Sequence, residues 1–310
     1  APLKTLAQSL ELPVYDTPPK SVGMKTWEVF HLHRVFTRPV PSPFLESSQN
    51  PNNILITASI GRILPTRILD YFAPTRRLNV HPSLLPEYRG PSPIQHAIAD
   101  GRPETGVSVM SLVPYKCGID SGEVWASAAV LVPPGVKFAT LRDILADKGG
   151  ELLVSTLRNM LAGTATAVAQ DQEKATRAPL IYRTNAMVQW ETWDANHVDS
   201  VYRAISHQFS IVTALPYAAP YSTLQLHELA VRSPPASLHP QLQQPGDAIF
   251  DRETKSLIIR CAGNSEISVT RVQQEMKREI MARDFWNAMR PERLENGVLK
   301  LTSLRPPVQE

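Results

Sequence analysis

The sequence predicts an α/β unit with a mostly parallel sheet, followed by a smaller β-rich unit. Three observations carry that expectation. Short continuous apolar runs alternate with helical stretches through the first half of the chain; a polar stretch follows Gly163; and short alternating strands at close spacing fill the remainder. The 310 residues are 43% hydrophobic and 20% charged, which is enough apolar material for a buried core and excludes a disordered chain. No run approaches the ~18 apolar residues of a membrane-spanning helix, so no membrane partner is expected.

Leu3, Leu6 and Leu10 share one face of a short amphipathic helix, and residues 12–15 read as a short strand. His31 and His33 alternate on one strand face; metal ligation is conceivable there, but two histidines without a third ligand are more often plain surface residues. Residues 36–52 carry Pro39, Pro41, Pro43 and Pro51 among Asn and Ser, an exposed loop. Ile54-Leu55-Ile56 is continuous and apolar, as in a strand buried in a parallel sheet. Residues 78–80 and 106–112 are further apolar runs, and 124–132 alternates as an edge or half-covered strand. Helical stretches lie at 65–72, 92–100 and 141–161, the last interrupted at Gly149-Gly150.

Boundaries follow at 1–163, 164–180 and 181–310, the middle segment (with QDQEKATRAP) reading as a linker. Val198, Val201, Tyr202, Ile205 and Phe209 form a helix stripe that core packing explains fully. Strands at 224–231, 248–250, 257–261 and 267–272 suggest a small barrel or sandwich, and a helix near 282–289 closes the pattern.

Lys and Arg total 32 against 29 Asp and Glu, a net charge of +3, with a pI of about 8.9; an anionic partner is permitted, not demanded. Cys117 and Cys261 match no metal spacing and form no disulfide framework, which favours a reducing compartment. The 28 prolines against 14 glycines point to stiff loops. The chain opens on Ala1 without a leader-like pattern, which reads as a mature or truncated start.

The most informative stretch is NVHPSLLPEYRGPSPI, residues 79–94. Asn79 and His81 are two apart at a strand end, so they share a face, and strand ends are where open α/β sheets bind ligands. The loop 118–122 brings Asp120 within reach of the same crevice. Asn supplies a neutral donor, His a group that titrates near pH 7, and Asp a carboxylate to hold the imidazole. On spacing alone, a histidine at a strand end is more often a structural hydrogen-bonding residue.

The whole string narrows the choice. NVHPSLLPEYRGPSPI resembles the N-x-H-x-S-L-L-P-x-Y-R-G-x-x-P-I signature of 10-formyltetrahydrofolate-dependent formyltransferases, and GIDSGEV (118–124) resembles their G-x-D-[TS]-G-[DE] element. The resemblance implies a Rossmann-like catalytic domain with Asn79, His81 and Asp120 as catalytic residues. It also implies a folate pocket formed by Ile60, Arg62, Ile63 and Leu64 together with Ser83, Leu84, Leu85 and Pro86. Landmarks of the second half are Pro245-Gly246, Gln273-Gln274-Glu275 and residues 281–285 (MARDF). They are similar to those of the methionyl-tRNA branch, which implies a C-terminal OB-like barrel that holds the tRNA acceptor arm.

The expected reaction is formyl transfer from 10-formyltetrahydrofolate, as co-substrate and without a metal, to the α-amino group of initiator methionyl-tRNA. Arg271, Lys277, Arg278 and Arg283 are candidate tRNA contacts, with glutamates interspersed. Arg89 is assigned either to the nucleic acid or to a structural ion pair. A monomer is expected, placed in the mitochondrial matrix by the insert-like loop at 36–52, or in the cytoplasm if bacterial.

Three departures stand out. The segment from Ala1 to Lys4 resembles the part that follows the family's opening strand–helix unit, which is therefore expected to be absent. Residues 113–117 (VPYKC) lengthen the loop before Gly118 and bring Tyr115 and Lys116 near the pocket, and residues 205–215 (ISHQFSIVTAL) intervene before Pro216-Tyr217. Two alternatives remain: a folate-dependent formyltransferase or hydrolase acting on a sugar nucleotide or on folate itself, and a catalytically silent RNA-binding homologue.

Overall fold

The computed structural model describes residues 2–12, 14, 53–217, 222–232 and 238–304. Helix α1 (Pro2–Ser9) forms as its leucine spacing predicts, with Leu3, Leu6 and Leu10 exposed. Leu12 and Val14 carry no strand; the rest of that predicted strand, His31, His33 and the loop at 36–52 lie outside the described residues.

Four strands make the first sheet, in the order β1 (Leu55–Ala58), β2 (Arg77–His81), β3 (Glu104–Ser111), β4 (Val124–Leu131). Only β1 and β2 run parallel; β2–β3 and β3–β4 are antiparallel. The expectation of a mostly parallel sheet therefore fails for the described strands, and the sheet is mixed. The reason lies in what a continuous apolar run encodes. All but the first residue of β3 is buried, which requires cover on both faces but not a parallel neighbour. β1 departs the other way: it pairs only with β2 among the described residues, and Ile56 is 39% exposed.

Short α2 (Thr66–Leu69) and α3 (Pro93–Ala99) replace the longer helices predicted there. Helix α4 (Phe138–Leu161) is longer than expected and runs unbroken through Gly149-Gly150. Gly149 explains why: a Cβ there would lie 2.9 Å from Val80 Cγ1 and 3.3 Å from Val107 Cγ1. The glycine is a point of close helix–sheet approach rather than a break.

Residues 164–180 run back over the first sheet. Val168 bridges Val124, and Ala178 N–H donates to the Arg89 carbonyl at 2.7 Å. Helix α5 (Ala195–Ile205) follows, capped by Asp194, with the predicted Val198, Val201 and Ile205 buried.

The second sheet is antiparallel and curled. Its order is β11 (Leu299–Lys300), β7 (Asp247–Asp251), β8 (Ser256–Cys261), β9 (Ser265–Gln274), β6 (Ser222–Val231), β5 (Ile211–Leu215), with β10 (Ile280–Met281) on β9. The two ends meet where Ala214 and Thr302 exchange backbone hydrogen bonds of 3.0 and 3.2 Å. β5 comes from the run that seemed an insertion; it is an integral strand paired with β6. Helix α6 (Ala282–Asn287) buries Ala282 and Phe285. One apolar cluster is continuous from Ile98, Val107 and Leu141 through Val198 to Leu224, Ile259 and Val269.

Candidate active site

Strand β2 presents Asn79 and His81 on one face, as alternation requires. Asn79 lies in register with Thr57 of β1, whose Oγ1 donates to Asn79 Oδ1 at 2.8 Å. With its oxygen engaged, the amide keeps its N–H donors for the cleft. His81 is buried, and its Nε2 lies 3.0 Å from the Tyr88 carbonyl oxygen. A carbonyl only accepts, so Nε2 bears the proton and Nδ1 is left for chemistry. Nδ1 faces Asp120 Oδ2 at 3.7 Å, too long for a hydrogen bond but within Coulombic reach.

Asp120 is placed by the turn at 118–122. Its φ is +51°, and its Oδ2 accepts from Gly90 N–H at 2.9 Å. Gly122 lies so close to the Ser111 carbonyl that a Cβ would sit 1.9 Å from that oxygen, so the turn closes only with glycine. Ser121 Oγ donates back to the Cys117 carbonyl at 2.8 Å.

Asn79 and Asp120 open on a cleft of about 140 Å³. Ile60, Arg62, Ile63 and Leu64 line it with Thr57, Tyr115 and Ile119. The lengthened loop before Gly118 thus reaches the cleft through Tyr115. The structure does not bring the other predicted pocket residues there. Leu85 and Pro86 border a separate cavity of about 340 Å³ with Trp125, Ser127, Val168 and Gln170. Ser83 is buried and donates to the Glu87 carbonyl at 2.6 Å; Leu84 packs over Gly106.

Gln170, which the sequence reading left inside a polar linker, proves central. Its Nε2 donates to the carbonyls of Asp120 (2.9 Å) and Gly122 (2.6 Å), and its Oε1 accepts from Arg89 Nε (2.9 Å) and Nη2 (2.7 Å). Arg89 Nη1 donates to Gln172 Oε1 at 2.9 Å. Of the two roles considered for Arg89, its guanidinium thus makes a structural contact, with glutamines in place of an acid. Burial holds it below the usual guanidinium range. Burial, reinforced by a 2.8 Å hydrogen bond to Asp100, pushes the Tyr88 phenol far above its ordinary range.

The remaining candidate cations lie on β9 (Arg271), in the turn between β9 and β10 (Lys277, Arg278) and on α6 (Arg283). Arg271 is committed to Glu279, with Glu228 at 3.9 Å. Lys277 Nζ donates to Gln274 at 2.8 Å, and Arg283 pairs with Asp284 at 3.3 Å. Arg278 is exposed and makes no ion pair among the described residues.

A formyl transferase family model matches residues 45–157, and a formyl transferase C-terminal domain model matches residues 180–290. The methionyl-tRNA formyltransferase of Anaeromyxobacter dehalogenans is 34% identical over 245 residues, 78% of this chain and 74% of that one. The human mitochondrial methionyl-tRNA formyltransferase is 30% identical over 288 residues, 92% of this chain and 65% of its own. Among solved structures, HypX from Aquifex aeolicus in complex with tetrahydrofolic acid shares the fold with a TM-score of 0.54 at 17% identity, over 75% of this chain and 38% of that one. WlaRD, a sugar 3N-formyl transferase, gives 0.52 at 14% identity over 73% of each chain. The spread of the methionyl-tRNA relatives over both halves decides the branch: the chain belongs to the methionyl-tRNA formyltransferase family.

Proposed function

We propose that the chain transfers the formyl group of 10-formyltetrahydrofolate to the α-amino group of initiator methionyl-tRNA, with Asn79, His81 and Asp120 as its catalytic residues. The observation that carries the reading is the convergence of Asn79 and Asp120 on one cleft, with His81 Nδ1 facing Asp120, in a chain that aligns with methionyl-tRNA formyltransferases across both halves.

The cleft residues fit a folate. Ile60, Ile63, Leu64 and Ile119 offer apolar walls for a flat ring, and Thr57, Arg62, Asn79 and Asp120 offer polar atoms along one side. Bound there, the co-substrate supplies the formyl group. The Asn79 amide, anchored by Thr57, donates to the oxygen on which negative charge develops. The Asp120–His81 pair takes the proton that the attacking amine releases as its bond to the formyl carbon forms, with Nδ1 and the carboxylate as its two sites. The pair returns it to the folate nitrogen as the bond from that nitrogen to the formyl carbon breaks, so that tetrahydrofolate leaves. The Tyr88 carbonyl keeps the ring from turning while that proton moves.

The tRNA is the anionic partner that the net charge of +3 permits. Arg278 is the candidate phosphate contact with the fewest competing bonds. Residues 1–163 form the catalytic part and 181–310 an OB-like part for the acceptor arm, joined by 164–180; the curled antiparallel sheet supports the second assignment. The molecule acts as a monomer, and no helix among the described residues is long and apolar enough to cross a membrane. A mitochondrial matrix setting is supported by the human mitochondrial relative, and a bacterial cytoplasm by the bacterial ones.

The direct test is transfer of labelled formyl from 10-formyltetrahydrofolate to charged initiator tRNA. Formyl-methionine ester should accumulate, and uncharged tRNA or an amino sugar nucleotide should accept none. Label appearing on the sugar nucleotide alone would overturn the reading.

A further inference from the structure

We infer that Gln170, fastened by Arg89, is a positioning residue for the Asp120–His81 pair, and that residues 168–178 therefore belong to the working parts of the active site. The inference rests on the reading of Asp120 and His81 as catalytic. Both ends of the Gln170 amide are used, and each end has one possible assignment: backbone carbonyls only accept and a guanidinium only donates, so Nε2 faces Asp120 and Gly122 while Oε1 faces Arg89. No other side chain of that size does both. A glutamate lacks the donors and a lysine lacks the acceptor.

The bonds close a circuit around the site. Arg89 lies between Tyr88, whose carbonyl holds His81 Nε2, and Gly90, whose N–H holds Asp120 Oδ2. Gln170 ties that same Arg89 to the Asp120 backbone, so the carboxylate is fixed from its main-chain and side-chain ends together. The restraint has work to do, because Asp120 sits at φ +51°, a left-handed conformation that a non-glycine residue keeps only where its surroundings impose it. The 3.7 Å separation of Nδ1 and Oδ2 makes a shift of a few tenths of an ångström decisive.

Gln170 itself is held from both sides along the chain. Val168 and Val124 exchange backbone hydrogen bonds of 2.9 Å; Thr176 Oγ1 accepts from Tyr88 N–H at 2.8 Å, and Ala178 N–H donates to the Arg89 carbonyl. The same segment leads on towards α5 and the second sheet.

The test is Gln170→Glu in the full chain, which keeps size and the Arg89 acceptors but removes both donors. A misplaced catalytic group can cost about 100-fold; kcat should fall at least ~10-fold with the folate KM within about twofold. In an Asp120→Asn background the same change should cost less than about twofold more, because its effect passes through Asp120. Glu151→Gln, exposed on α4 and outside that segment, should leave kcat unchanged. If circular dichroism shows Gln170→Glu unfolded, Arg89→Lys, which keeps the charge and loses the fork, should give the same split between kcat and KM. A folded variant with near-parental kcat, a change in KM alone, or a full multiplicative loss on Asp120→Asn would overturn the inference. An Asp120→Asn enzyme as active as the parent would instead defeat the reading beneath it.

Discussion

Two side chains on β2 do different work because their fixed partners differ. Asn79 spends its oxygen on Thr57 and keeps its donors, whereas His81 spends Nε2 on a carbonyl and keeps Nδ1 for Asp120. Asn79→Ala removes one donor to a developing oxyanion, a loss worth about 10²–10³ in rate; kcat for formyl transfer should drop by that factor. His81→Ala removes the proton site as well and should nearly abolish transfer. Both side chains are assigned to the reacting atoms rather than to phosphates, so tRNA affinity, measured by filter binding, should stay within error of the parent. A His81→Ala enzyme that kept most of its rate would show that Nδ1 takes no part. That the two share a face was legible in the sequence, because residues two apart on a strand do so in any sheet; the roles assigned to them come from the resemblance of the whole string, since spacing alone favours a structural histidine.

Elements carry a different kind of information. The adjacent glycines of α4 have opposite environments: a Cβ on Gly149 meets Val80 and Val107, and a Cβ on Gly150 meets nothing within 4 Å. Gly150→Ala should stabilise the protein by up to about 1 kcal/mol, the helix-propensity difference. Gly149→Ala gains the same propensity but must displace two β-branched side chains, a strain of about 1–3 kcal/mol, so its net effect is destabilising. Thermal midpoints of the two variants should move in opposite directions, and movement in the same direction would refute the close-approach account. The two glycines look identical in sequence, which is why the pair reads as a helix break. The same blindness covers the direction of β3, whose apolar run reports two-sided burial and nothing about its neighbours. It covers Gln170 as well: a glutamine within a polar run is indistinguishable from a solvated linker until Asp120 and Arg89, 50 and 81 residues away in the chain, arrive beside it. β5 was missed for a related reason: the family pattern set the expected spacing, and the strand occupied the residues counted as extra.

At the scale of the whole molecule, the two sheets are joined through one apolar cluster and a polar seam between α4 and α5. In the seam, Arg203 Nη1 donates to the Val136 carbonyl at 3.0 Å while its Nε pairs with Asp199 at 2.6 Å. Lys137 Nζ lies 5.6 Å from the centre of the Tyr202 ring. Phe138 and His207 stack with centroids 3.9 Å apart and planes within 5°. Burial, and then the nearby Arg142 charge, hold the His207 imidazole below its ordinary value of 6.5. The folded protein therefore binds this proton less readily than the unfolded chain. Stability is unaffected above the unfolded value, falls as pH drops through 6.5 because unfolding then takes up a proton, and levels off below the folded value, where both states carry it. His207 is exposed, so solvent screens the effect and its size is modest. His207→Phe keeps the stacked ring and removes the titration; between pH 7 and pH 5 its denaturant midpoint should fall less than the parent's. Equal falls in the two proteins would place the acid sensitivity elsewhere. Because Arg142 is the second cause of the depression, Arg142→Gln should also flatten the parent's slope, though less than His207→Phe does. The seam thus gives the stability of the fold a pH dependence without involving any residue assigned to formyl transfer.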